Sequence, residues 1–164
     1  MEEEYELEKR IWSEKDFKTM GWHDCRIHAM ALAGHDMMLD IDYIFKWLLA
    51  SKEGERHRFW VSPATLVFRN VDGLAIDIEV CGGNVEGPKI DINDIEREDK
   101  QVFRKFGKPR VVFWKYTIYL HQGDLVFHSS GYNQYIRKEP ILVESMSLGL
   151  EERGGVSFST DIDH

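Results

Sequence analysis

Between Met20 and Leu49 the chain reads MGWHDCRIHAMALAGHDMMLDIDYIFKWLL, and within it His23, Asp24, Cys25 and His28 stand close enough to suggest a zinc shell or a proton-transferring dyad. Thiolate, imidazole and carboxylate are zinc ligands, and a carboxylate beside a histidine is the pairing that orients a general base. Extended backbone works against both. Neighbouring side chains on a strand point to opposite faces, so Cys25 and His28, three apart, cannot reach one ion without a bulge. Alternation sorts Trp22, Asp24, Arg26, His28 and Met30 onto one side, and His23, Cys25, Ile27, Ala29 and Ala31 onto the other. If Gly34-His35 is a two-residue turn, Leu32 lies opposite Met37, Arg26 opposite Tyr43 and Asp24 opposite Phe45, which puts the ionic trio on the apolar face. A three-residue loop reverses the assignment. In the first register unpaired charges would cost several kcal/mol, so Asp24, Arg26 and His28 are expected to satisfy one another. The candidate ligand-binding or polar cluster is therefore Trp22, His23, Asp24, Arg26, His28 and Tyr43, with no catalytic residue, metal or cofactor assigned.

A second pair, His121 and His128, flanks the turn Gln122-Gly123-Asp124 and falls on one face about 7 Å apart between α-carbons. That is within reach of one zinc ion, with Tyr119 or a distant carboxylate to complete the shell. The opposite face, Trp114, Tyr116, Ile118, Leu120, Leu125 and Phe127, is the more apolar and is expected in the core, leaving both imidazoles in solvent. Asp40, Asp42, Asp77, Glu79, Asp91 and Asp94 read as the wet side of strands. DINDIERED lacks the glycine and terminal glutamate of a calcium loop, and VCGGNVEGP and ERGGVSF lack the ending of a phosphate loop.

The elements that must position these residues are mostly strands. In DMMLDIDYIFKWLL the positions Met37, Leu39, Ile41, Tyr43, Phe45 and Trp47 are apolar, and charges fall between them, the mark of a half-buried strand. FWVSPATLVFRNV and LAIDIEV predict a hairpin across Asp72-Gly73, RVVFWKYTIYLH and LVFHSSGYNQYIR a second, and PILVESMSL a further strand. Gly82 to Pro109 reads as a long irregular connection with one helical turn. Residues 1–19 space Tyr5, Ile11 or Trp12, and Phe17 at helical intervals, predicting a short N-terminal helix before a β-domain over 20–160. The expected fold is all-β or mainly β: a single domain, 1–164, whose antiparallel meander of 7–8 strands forms a barrel or sandwich.

At 164 residues the chain can bury about 70% of its unfolded surface, and 43% hydrophobic residues supply the core. A net charge of −8 and a pI near 5.4 argue against gripping nucleic acid or an anionic membrane, and leave a basic partner open. Cys25 and Cys81 are too few for a disulfide framework, and the acidic start MEEEYELEKRIW is unlike a signal peptide, so a cytoplasmic location is expected.

GWHDCRIHAM, LDIDYIFKW, FWVSPATLVF, YNQYIRKEPI and ERGG together resemble an uncharacterised group of small bacterial proteins with a W-H-D opening followed by L-D-I-D-Y-I, over about Trp22 to Phe158. That resemblance implies a bacterial, cytoplasmic origin and assigns no activity. Gly21-Trp22 after a short helix is also similar to the opening of lipocalin-like barrels, without their Gly-x-Trp spacer, and an eight-stranded barrel can hold one small ligand. The leading expectation is a non-enzymatic protein that acts by protein interaction, like an immunity protein or inhibitor, with an unknown and basic protein partner; a homodimer stays open. A barrel for a small apolar or aromatic ligand is the alternative. A metalloprotein or hydrolase using His23, Asp24 and His28 ranks lowest.

Overall fold

A computed structural model describes residues 4–81, 87–103 and 111–162. The strands are β1 (Ile11–Ser13), β2 (Arg26–Ala33), β3 (Asp36–Leu48), β4 (Arg58–Arg69), β5 (Asp72–Ile78), β6 (Ile90–Arg97), β7 (Gln101–Phe103), β8 (Val111–Leu120), β9 (Gly123–Ser129), β10 (Gly131–Ile136) and β11 (Ile141–Val143), and one short helix, α1 (Leu150–Arg153), lies near the C-terminal end. The protein is thus mainly antiparallel β. Nine strands follow the order β1-β10-β4-β3-β2-β6-β8-β9-β5, with β11 also on β4 and β7 on β8. Among the described residues this path has two ends, β1 and β5, and is not closed into a barrel.

β3 and β4 form the most extensively buried pair, with consecutive residues of each strand, and so both faces, closed off from water. Leu39 pairs with Leu66 and Ile41 with Ala64, and all four are fully buried. Their inner side meets Trp22, Phe68, Tyr116, Phe127 and Tyr132, whose neighbouring rings lie 4.8–6.1 Å apart and fill the curl of the sheet. The apolar side of the β8–β9 hairpin, from Tyr116 to Phe127, is buried as its alternation predicts. Trp47 departs from its row. A bulge at Phe45 resets the alternation, and Trp47 stays 37% exposed.

Four expectations give way. The N-terminal segment is not an α-helix: Ile11–Ser13 is an edge strand on β10, followed by a single 3₁₀ turn, Glu14–Thr19, that Ser13 caps. Within it Phe17 packs on Trp22, Tyr116 and Tyr132, so aromatic spacing that reads as helical serves to plug the sheet. β4 and β5 are not a hairpin, because β3 and β10 occupy both edges of β4. The chain turns away at Asn70 (φ 51°), where the Val71 amide donates to the His35 carbonyl, and β5 pairs with β9. Gly123 permits that pairing, since a Cβ there would collide with the Asp77 carbonyl. LVFHSSGYNQYIR breaks at Ser130 into β9 and β10, which join different neighbours. Finally, the stretch expected as an irregular connection contains β6 and β7, while residues 82–86 and 104–110 lie outside the described ones.

Candidate functional site

The WHD segment is a tight turn rather than a strand. The Cys25 amide donates to the Trp22 carbonyl at 3.0 Å, and Asp24 takes a left-handed conformation, φ 62°. Alternation therefore fails here: Trp22 and Cys25 are both buried, and β2 begins only at Arg26. The Trp22 indole N–H donates to the Gln134 side-chain carbonyl at 2.8 Å, and the Tyr43 hydroxyl accepts from the Gly21 amide at 3.3 Å. Burial drives the Cys25 thiol up to about 12 and raises the Tyr43 phenol, so both are neutral structural groups.

The turn thrusts Asp24 outward between two imidazoles. Its carboxylate stands 3.3 Å from His23 Nε2 and 3.2 Å from His121 Nε2. His23 is fixed from its other side by donating through Nδ1 to the Asn93 carbonyl at 2.9 Å, an acceptor exposed because a bulge between Ile92 and Asp94 takes Asn93 out of the β6–β8 ladder. The His23 ring also stacks on Trp47, 5.9 Å between centroids. His121 is not on the strand face shared with His128. The hairpin turn is His121-Gln122, one step earlier than the sequence suggests, with Leu120 opposite Gly123. Among the described residues no group of three His, Cys, Asp or Glu side chains has metal-ligating geometry.

Asp24, Arg26 and His28 do not pair with one another. The two-residue Gly34-His35 turn is present and Leu32 faces Met37, but a bulge between Ile27 and Ala29 puts Arg26 opposite Asp42 rather than Tyr43. Arg26 donates to the Asp91 carboxylate at 3.1 Å and the Ser147 hydroxyl at 2.9 Å. His28, carried by the bulge, reaches Asp42 through Nε2 at 2.6 Å. The turn at Asp24 and the bulge after Ile27 thus send Asp24, Arg26 and His28 to separate sets of partners.

The most heavily built polar assembly is one that sequence reasoning placed in solvent. Asp40 and Asp42 are both 0% exposed, because the segment after β10 lies across the outer side of β3 and β4. Arg153 donates to Asp40 at 2.6 and 2.8 Å and to Asp42 at 3.1 Å, and Arg137 donates to Asp40 at 2.7 Å. The amides of Leu148 and Ser157 add bonds of 2.9 and 3.0 Å to Asp42 and Asp40. Burial alone would raise the Asp40 carboxyl; the bonds from Arg153, Arg137 and the Ser157 amide outweigh it and hold the group below its ordinary range. Gly154 and Gly155, both at φ 78°, reverse the chain straight after α1 and let Arg153 turn inward. With every carboxylate oxygen engaged, this network has the make-up of a lock on the covering segment rather than of a reaction centre.

Two surfaces remain. At the end of the sheet β5 pairs, among the described residues, with β9 alone, and its Ile76 is 48% exposed. Elsewhere, beneath the loop joining β3 and β4, a cleft of about 860 Å³ is lined by Arg26, Arg56, His57 and Ser147 among others. Among the described residues no helix is long and apolar enough to cross a membrane. Comparison with protein-family models, curated proteins and solved structures gives no match.

Proposed function

We propose that the chain is a non-enzymatic interaction protein, in the manner of an immunity protein or inhibitor, and that it receives an extended basic segment of its partner along β5. The observation that carries this reading is the pairing of β5, among the described residues, on one side alone, which leaves backbone groups on its other side as a template for another strand. Asp72, Asp77 and Glu79 are exposed there beside Ile76, and no Lys or Arg occurs between Asp72 and Pro88. A basic, partly apolar strand complements that pattern. A ligand barrel is less well supported, because the inside of the curl is filled by rings. So is a hydrolase, because His28 Nε2 is spent on a carboxylate already bonded to Arg153.

Selection from a random displayed-peptide library tests the proposal. Enriched peptides are expected to carry Lys or Arg at alternate positions, to bind more weakly as salt rises, and to protect amides of residues 72–78 from exchange. Enrichment without basic residues, or protection confined to other strands, would contradict it.

A further inference from the structure

The cleft beneath the β3–β4 loop is lined by the carboxylates of Glu55 and Glu144 and by a larger set of hydrogen-bond donors, several of which have no protein acceptor among the described residues. His57 accepts the Ala50 amide through Nδ1 at 2.8 Å, so its ring proton sits on Nε2. Ser147 Oγ accepts from Arg26, and Ser145 Oγ accepts from the Ser147 amide at 3.3 Å, which leaves both hydroxyl protons to be donated outward. Arg26 uses Nε and one terminal nitrogen on Asp91 and Ser147, and its second terminal nitrogen has no bond among those described. Among the described residues Arg56 is held by Glu144 alone, at 3.0 Å, with the two side chains 80% and 56% exposed, a pairing that water and a competing anion readily exchange. Phe59 and Met146 supply an apolar part of the same wall.

Donors of two arginines, two serines and an imidazole that line one cleft, beside an apolar patch, are the recognition chemistry of an oxyanion on an apolar body. We propose that this cleft binds a small organic anion, a phosphate or carboxylate group attached to an aromatic or aliphatic moiety, with Arg26 and Arg56 on the oxyanion and Met146 beside the apolar part. The site is remote in composition from β5 and independent of the partner proposed there.

Titration of the full chain with phenyl phosphate, followed by amide and side-chain NMR shifts, tests this. Saturable binding is expected, with shifts at His57, Ser145 and Ser147. Inorganic phosphate and benzoate are expected to compete, since each supplies an oxyanion, and their ranking tells phosphate from carboxylate preference. Phenol is expected to bind at least roughly tenfold more weakly. Arg56→Gln, at an exposed position that does not endanger folding, should weaken binding about tenfold, as should Arg26→Gln if its spectrum stays native; the exposed Lys15→Gln should change nothing. Absence of saturation at about 10 mM, equal binding of phenol, or undiminished binding to Arg56→Gln would overturn the proposal.

Discussion

Asp40 and Asp42 fall on charged positions of a strand whose other side is apolar, the pattern of a solvated face, yet both are closed off from water. Their partners, Arg137 and Arg153, come from about a hundred residues further along, a separation that no local periodicity encodes. Arg153→Met should therefore cost about 3 to 5 kcal/mol in urea unfolding, because two buried carboxylates lose a shared cation. Asp40→Asn, expected to be mild on a wet strand, should instead be clearly destabilising and should flatten the acid dependence. The Asp40 carboxyl is held below its ordinary value of 3.8, so its contribution is present above that value and lost as pH falls through the lower folded value. Wild type should lose stability more steeply below about pH 4 than the variant. Cys25 has the opposite sign. Its thiol is raised from 9.0 to about 12, so the unfolded chain gives up this proton first and stability falls as pH rises between those values. Unfolding at pH 8 and 11 should show wild type losing roughly 3 kcal/mol more than Cys25→Ala.

Single-residue irregularities decide where the elements send their side chains. The Leu39, Ile41 and Tyr43 row was legible in the sequence because period-two burial depends only on the strand itself, and the Leu32–Met37 register followed from the two-residue turn. The bulges at His28, Phe45 and Asn93 were not legible, since a bulge is stabilised by the partners it re-aims: here Asp42 for His28, and His23 for the carbonyl of Asn93. The WHD turn is not legible for a related reason, because one of the imidazoles around the left-handed Asp24, His121, comes from a hairpin about a hundred residues away. At β5 the consequence bears on the proposed interaction. Ile76→Ser, at a half-exposed edge position, should shift stability by no more than about 0.5 kcal/mol. It should weaken binding of library-selected basic peptides by roughly tenfold or more, measured by calorimetry. A large stability loss with unchanged binding would mean that Ile76 belongs to the core.

Across the whole molecule, alternation revealed a mainly β chain but not the order of its strands. β4, β5 and β10 each leave a sequence neighbour for a distant one; among the described residues β2–β3, β3–β4, β7–β8 and β8–β9 pair as sequence neighbours, and β2–β3 and β8–β9 do so across two-residue turns. The resulting path ends at β5, and the proposed interaction depends on that end being open. Native-state amide hydrogen exchange of the free protein measures this directly. Along Asp72–Ile78, amides directed away from β9 should exchange orders of magnitude faster than those of the buried β3–β4 pair, in an alternating pattern. Uniform protection along β5, equal to that of β3 and β4, would show both of its edges occupied and would contradict an interaction built on that strand.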